Sequence, residues 1–371
     1  MSSSKADEDI EILKSTVSMT LDLITKLEAS AKPGTDSNDS SVNALDLAHD
    51  TASLVRAHTT KLSLLIINKP FTPSAITKIL RELVAGPLPG LASAVELCTS
   101  GKYTRAMSFD LEYWAGGLFS NLGILVKAIP LDGKVLSDDA KNGTGTVEGN
   151  GSLAITGTIW EACDRVVELK KLGVAGLVIK RAEEYRDLLK DALQELQEWG
   201  EEEGDDNEEQ DASGDEDPDE AQAAVDNMFS ERHIPKDDPD KIRPKLESSL
   251  KRLRLLILMY QAVVKRRFKA LPPLPHLEPE TRGKGKADED PGPIVSCVDE
   301  VLNVMKRLLD ITDDLASAFY ELDGPEIDQK MDDCFLTSFG GVELLMENWK
   351  GQEDEFTTWA RKFQVAMKKG W

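Results

Sequence analysis

Residues 294–322 read IVSCVDEVLNVMKRLLDITDDLASAFYEL, and this stretch decides the fold class of the chain. Positions 294, 298, 301, 305, 308, 312, 315, 319 and 322 follow one another at alternating spacings of four and three residues, and all except Thr312 are apolar. This spacing places the apolar side chains on one stripe of an α-helix, as in the packing seam of a helical bundle. The sequence of this segment therefore predicts a buried bundle helix.

The same 3.6-residue periodicity recurs along most of the chain, and the alternating pattern of a half-buried strand is missing. We therefore predict an all-α protein. Gly86, Pro87 and Pro89 are expected to break or kink the third of its helices. The predicted helices cover residues 5–30, 41–68, 73–98, 103–129, 152–171, 174–199, 241–270, 293–323, 326–350 and 352–369.

An acidic run divides the chain. Residues 201–220 include 13 Asp or Glu and no Lys or Arg. Like charges repel one another, and few apolar side chains are present to offset the ordering entropy, so we predict a disordered acidic linker at residues 200–239. The predicted domains are an N-terminal helical bundle at residues 1–199 and a C-terminal helical bundle at residues 240–371.

The sequence after the linker is basic, with ten Lys or Arg against two acidic residues at positions 240–270. Lys251 with Arg252, and Lys265 with Arg266 and Arg267, have the spacing of a bipartite nuclear-import signal. Import receptors bind such clusters in extended chain, so we favour a core helix with a charged rim. These five residues are nevertheless our candidate basic interaction or import surface.

The acidic run and the basic helix carry opposite charges close together in sequence. We hypothesise that the tethered acidic run competes with partners for the basic surface, or shields it, which would make partner binding sensitive to salt. Ser213 is a candidate phosphorylation site, because acidophilic kinases prefer a serine followed by acidic residues and Asp215, Glu216 and Asp217 follow it.

Composition limits the classes of partner. The net charge of −23 opposes long-range attraction to nucleic acid and to anionic lipid, so we expect protein partners, with no nucleic acid and no membrane. No stretch reaches the ~20 apolar residues of a membrane-spanning helix, and we expect an intracellular protein. Cys98, Cys163, Cys297 and Cys334 stand singly, without the spacing of a zinc site, and are predicted to be reduced core thiols.

The sequence offers no catalytic, cofactor-binding or metal-binding residues. Gly143, Gly145 and Gly149 lack the preceding strand and the GK[ST] ending of a phosphate loop. His58 falls on an apolar helix face, as a core or boundary histidine does, and neighbouring Asp pairs point to different sides of their helices. We therefore predict a protein that is not an enzyme and needs no cofactor.

Five segments follow one another in an order typical of a known family. They are KLSLLIINKPFTP at residues 61–73, IWEACDRVVEL at 159–169, the helix at 182–199 with its acidic tail, residues 245–256 and residues 298–322. In this order the chain resembles the cyclin-D-interacting protein family, also known as GCIP. The resemblance implies an N-terminal bundle similar to those of vinculin, talin and α-catenin. It also implies a non-enzymatic regulator that binds D-type cyclins and helix-loop-helix transcription factors, in cytoplasm and nucleus.

Two function hypotheses follow. The first is an adaptor that binds partner helices in apolar grooves and regulates the cell cycle or transcription. The alternative is a cytoskeletal or scaffold bundle of the vinculin and talin type, which releases a helix to expose a cryptic binding site. Hydrogen exchange would separate them, because only the second requires a whole helix to lose protection when the partner binds.

Overall fold

A computed structural model describes residues 2–35, 42–143, 151–201, 233–275 and 292–368. Every regular element within these ranges is helical, which confirms the all-α prediction. Most of the predicted acidic linker, including Ser213, lies outside the described residues. The helices are α1 (Ser2–Ser30), α2 (Ala44–Ile67), α3 (Pro73–Ala85), α4 (Pro87–Leu97), α5 (Ser100–Tyr103), α6 (Arg105–Lys127), α7 (Asp138–Asn142), α8 (Ser152–Glu201), α9 (Ile242–Arg266), a short 3-10 helix (Phe268–Ala270), α10 (Gly292–Tyr320), α11 (Gly324–Glu343) and α12 (Glu355–Lys368).

Two glycines interrupt helices where the sequence predicts a break. Gly86 adopts φ −154° and ψ −58°, outside the helical region, between the end of α3 and the start of α4. Pro87 suits the first turn of α4, because its fixed φ fits a helix and that turn needs no N–H at this position. Gly173 adopts φ 60° within α8, a conformation that glycine tolerates without strain, between the two helices predicted at 152–171 and 174–199.

Helix α11 ends earlier than predicted. Its last residue is Glu343 rather than residue 350, and the chain turns at Gly351, where φ is 71°. Helix α12 then begins at Glu355, because the side chain of Asp354 accepts hydrogen bonds from the N–H groups of Phe356 and Thr357. Leu345, which the sequence places in a helix, is therefore buried as part of a loop.

The helices form two compact units. The first unit comprises residues 1–177 and 273–299, and within it α1 packs against α3 and α6 while α2 packs against α3 and α4. The second unit comprises residues 178–272 and 300–371, and within it α9 packs against α11 and α12. The first unit thus includes the start of α10, which the predicted division at residues 199 and 240 assigns to the C-terminal bundle. That division of domains remains a prediction.

The predicted seam of residues 294–322 is buried along most of α10. Its members from Val298 to Phe319 are at most 2% exposed, and only the terminal positions 294 and 322 are half-buried. The hydroxyl group of Thr312 donates to the carbonyl oxygen of Leu308 at 2.8 Å, so its one polar member has a hydrogen-bond partner. Each fully buried apolar side chain of this kind contributes about 1.5–3 kcal/mol to folding.

Three of the four cysteines lie in the core, as predicted. Cys98, Cys163 and Cys334 are buried free thiols, and burial raises the pKa of each to about 12. Cys297 is also free and is half-buried. Since the thiolate is the reactive form, the three buried thiols are poor nucleophiles at neutral pH.

Among the helices that the structure describes, none combines the length and the apolar character needed to cross a membrane.

Candidate partner-binding site

The five residues of the predicted basic surface do not share one face. Lys251 and Lys265 on α9 are exposed, and Arg266 is half-buried beside Glu355. The prediction is wrong for Arg252 and Arg267, which are only 9% and 1% exposed. These two residues lie in the interior because α9 packs against both α11 and α12, so positions on several of its sides face neighbouring helices.

Arg267 fixes the end of α9 against the loop before α12. Its Nε donates to the carbonyl oxygen of Leu345 at 3.0 Å, and its Nη atoms donate to the two carboxylate oxygens of Asp354 at 2.8 and 2.9 Å. The guanidinium carbon lies 4.3 Å from the centroid of the Phe356 ring. These hydrogen bonds hold the pKa of Asp354 below its usual range. We refer to this arrangement as the Arg267 clamp, and each of these contacts joins Arg267 to another residue of the same chain.

A groove between α9 and α11 is lined by Lys245, Arg252 and Asp328, among others. Lys245 Nζ is already committed there, at 2.8 Å from the carbonyl oxygen of Gly324 and 2.7 Å from the carboxylate of Asp328. Burial lowers the pKa of Arg252. Lys245 of this groove thus serves internal contacts.

The outer face of α6 carries the most exposed aromatic side chains of the described residues. Phe109 is 64% and Tyr113 is 61% exposed. Their ring centroids lie 6.3 Å apart in a stacked arrangement, and the ring of Trp114 meets that of Tyr113 edge-on at 5.0 Å. We call these three residues the α6 aromatic cluster. Such a cluster on a surface is characteristic of a site that binds another molecule.

The helical phase explains why these rings lie outside the core. Met107, Leu111, Ala115, Leu118 and Leu122 are fully buried. At about 100° per residue, these positions form one stripe of α6, and Phe109 and Tyr113 fall on the opposite side. One face of α6 therefore packs in the core, and Phe109 and Tyr113 lie on the solvent-exposed face.

A groove runs beside the aromatic cluster, between α6, the end of α1 with Lys32 just after it, and residues 158–162 of α8. Its volume is about 580 Å³, and we call it the α6 groove. Gly116 and Gly117 contribute to its lining, and a Cβ atom at either glycine would meet no heavy atom within 4 Å. The aromatic cluster borders this open area, which a partner backbone can approach closely.

The lining of the α6 groove is acidic. Glu28, Glu112 and Glu161 contribute three carboxylates, and Lys32 contributes the one ammonium group among the lining residues that the structure describes. Lys32 Nζ pairs with Glu112 at 2.7 Å. Just outside the groove, Arg165 lies 3.7 Å from Glu161. The lining therefore has a net charge of −2.

The start of α6 is fixed by a residue distant in sequence. The N–H of Arg105 donates to both carboxylate oxygens of Asp299, at 2.9 and 3.0 Å, and the Arg105 Nε lies 3.5 Å from the same group. Thr104, at φ 77°, caps the helix by accepting a hydrogen bond from Met107 N–H. Asp299 is 9% exposed, and burial raises its pKa despite these hydrogen bonds. A carboxylate at this end also complements the helix dipole.

The remaining candidate residues do not converge on a reactive site. His58 is largely buried 3.4 Å from Glu82, and burial lowers its pKa. Gly145 and Gly149 lie outside the described residues. Within the described ranges, no group of three or more His, Cys, Asp or Glu side chains is placed to hold a metal ion.

Sequence reasoning missed the α6 aromatic cluster. The signal that could have found it was present, because Phe109 and Tyr113 occupy the polar phase of the helix predicted at residues 103–129. Neighbouring aromatic residues at solvent-facing positions of an amphipathic helix indicate a binding surface, whereas single exposed apolar residues are common on any protein.

Comparison with known proteins finds similarity over the part of the chain that includes α6. The chain is 24% identical over 321 residues to an uncharacterized protein of Schizosaccharomyces pombe, covering 86% of this chain and 82% of the relative. Residues 48–202 match the family model described as Grap2 and cyclin-D-interacting, N-terminal, a range that contains all of α6 and the part of α8 that lines the groove. The resemblance to the Grap2 and cyclin-D-interacting family is thus confirmed over residues 48–202.

Proposed function

We propose that this protein is a non-enzymatic adaptor that binds cyclin-like or helix-loop-helix proteins and thereby regulates the cell cycle or transcription. The family description names an interaction with cyclin D, and the match covers α6 and the part of α8 that lines the α6 groove. The observation that carries the proposal is the exposure of Phe109 and Tyr113, each above 60%. Aromatic residues are enriched among those that supply most of the free energy of binding at protein interfaces.

The direct test is a binding measurement on the full chain with a purified D-type cyclin and, separately, with a purified helix-loop-helix protein. We expect a saturable complex with at least one of them, observed by isothermal titration calorimetry. Absence of binding to both would overturn the proposal. The scaffold alternative predicts a different observation, namely loss of hydrogen-exchange protection across a whole helix when a partner is added.

The proposal includes a location in both cytoplasm and nucleus, because the family resemblance implies partners in both compartments. Fluorescence microscopy of the tagged full chain tests this part separately. Substitution of Lys251 and Lys265 by alanine tests whether the exposed part of the basic surface acts in import. Unchanged nuclear signal in this double variant would remove the import role.

A further inference from the structure

We infer that the α6 groove binds an amphipathic helix of a partner protein whose polar flank is cationic. This inference rests on the proposed adaptor function and specifies the chemistry of the partner. It is carried by three features of one surface: exposed rings, two glycines with open space above them, and a lining of net negative charge.

The exposed rings supply the apolar half of the contact. Phe109 and Tyr113 lie one turn apart on α6, so they present a continuous strip along the helix axis. Helices that bind in grooves insert apolar side chains at spacings of three and four residues, which is the spacing of such a strip. Gly116 and Gly117 continue the surface, and the free space above both positions lets a partner helix approach α6 closely.

The rim supplies the charge half of the contact. Glu28 and Glu161 are exposed carboxylates at the edges of the groove, and its lining has a net charge of −2. Arg165, just outside the lining, pairs with Glu161 at 3.7 Å, so the attraction for a cationic partner rests chiefly on Glu28. Lys or Arg side chains flanking the apolar face of a partner helix can reach these carboxylates, whereas acidic side chains would be repelled. The chain's own Arg165 already lies 5.5 Å from the centroid of the Trp114 ring, which is a cation–π contact at this same surface.

A second copy of this chain is a poorer occupant. The net charge of −23 makes two copies repel each other, and the rim of the groove has the same sign. A cationic helix gains attraction to both the rim and the whole chain. The charge distribution therefore favours a partner of opposite charge.

The probe is a synthetic amphipathic helix of about five turns built from Leu and Lys, compared with a matched peptide of Leu and Glu. Affinities for the full chain are measured by fluorescence anisotropy at two salt concentrations. We expect the Leu–Lys peptide to bind, more weakly at higher salt, and the Leu–Glu peptide to bind at least tenfold more weakly. Equal affinity for the two peptides, or no binding of the Leu–Lys peptide, would overturn the inference.

A cationic peptide can also attach to the acidic run at residues 201–220, so the site is identified by variants. The double substitution Phe109→Ala and Tyr113→Ala should weaken Leu–Lys binding at least tenfold. Leu64→Ala is the control, since Leu64 is 53% exposed in the same unit and does not line the groove. Equal loss in both variants, or loss in neither, contradicts binding in the α6 groove.

The charge requirement has its own pair of variants. Glu28→Lys should weaken Leu–Lys binding and reduce its salt dependence, whereas Asp22→Lys, on the same helix but outside the groove, should change it less. If the two reversals have the same effect, general attraction rather than the rim explains binding. Sedimentation of the wild-type chain provides a further check, because a dimer that the aromatic substitutions dissociate would make a second copy the occupant.

The same variants separate this inference from the proposed function. If a D-type cyclin binds the wild-type chain and the aromatic double variant equally, the adaptor function stands and the α6 groove is not its site. If the Leu–Lys peptide binds in the groove while neither named partner binds, the site stands and the partner assignment fails.

Discussion

The Arg267 clamp and the α6 aromatic cluster show opposite placements of their residue types. Arg267 is 1% exposed, whereas Phe109 is 64% exposed. The buried Arg267 receives hydrogen-bond acceptors and its counter-charge from Asp354. Phe109 is exposed because the opposite face of α6 packs in the core. Arginine is usually at the surface and phenylalanine inside, so the comparison shows that helical phase and tertiary partners decide placement more firmly than residue type.

This difference changes which surface is the better candidate for partner binding. The basic clusters of α9 supply Lys251, Lys265 and Arg266 to the exterior, but Arg267 takes part in packing. Phe109 and Tyr113 of the aromatic cluster supply a continuous exposed strip. The following experiments compare the two regions directly.

The largest expected effect is that of Arg267→Ala on stability. The substitution leaves the Leu345 carbonyl oxygen without its partner and opens a cavity where the 1% exposed Arg267 side chain packs. It also removes the counter-charge of the half-buried Asp354, so we expect the free energy of unfolding to fall by about 3–5 kcal/mol. Urea unfolding of the full chain, followed by circular dichroism, measures it. The neighbouring Arg266→Ala is the control, because an exposed ion pair contributes only about 0–1 kcal/mol. Equal stability of the two variants would show that the clamp does not hold α12 in place.

A pair of aromatic truncations compares the two regions with the same chemical change. Phe356 is fully buried beneath Arg267, and Phe356→Ala should cost about 3–5 kcal/mol. Phe109→Ala should cost less than about 0.5 kcal/mol, because a side chain that is mostly in water loses little on truncation. The same urea experiment applies. A large loss for Phe109→Ala would mean that its ring serves folding rather than binding.

The carboxyl groups of Asp354, in the Arg267 clamp, and of Asp299, at the start of α6, should affect stability oppositely as pH changes. Asp354 has a lowered pKa, so its stabilising contribution is complete above the ordinary value of ~3.9 and is lost as pH falls from there through its folded pKa. Asp299 has a raised pKa, so folding becomes less favourable as pH rises from ~3.9 through its folded pKa. Carboxyl NMR titration, assigned with Asp354→Asn and Asp299→Asn, should place the two midpoints on opposite sides of ~3.9. The reverse order would contradict both environments.

The smallest expected effect is that of the acidic run on partner binding. Removing residues 201–220 should raise the affinity for a D-type cyclin by at most a few-fold, because exposed cations interact weakly in water. The affinity for the cyclin is measured at two salt concentrations for the wild-type chain, for the deletion and for the full chain carrying Lys251→Ala and Lys265→Ala. If the deletion changes neither the affinity nor its dependence on salt, the competition between the acidic run and the basic surface does not occur.

Much of the fold follows from local sequence, because helix phase and helix breakers act over a few residues. The apolar series of α10 and the breaks at Gly86 and Gly173 are of this kind. The clamp is not, since Arg267 and Asp354 are 87 positions apart and nothing near either residue indicates the pairing. For the candidate site, the helical periodicity of α6 is enough to predict that Phe109 and Tyr113 face solvent. The groove beside them cannot be predicted in this way, because it forms only when α6 packs with α1 and α8.

The cap of α6 by Asp299 bears on how this protein can be dissected. The acceptor of the Arg105 N–H lies 194 positions along the chain, well beyond residue 202, where the family match ends. Val295 and Val298, from the same helix end, are buried in the first unit. A fragment cut at residue 202 would therefore present α6 with an unsatisfied first turn and an uncovered patch of core. The end of the family match at residue 202 is therefore not the end of the first unit, and a fragment meant to fold as that unit needs residues 273–299 as well.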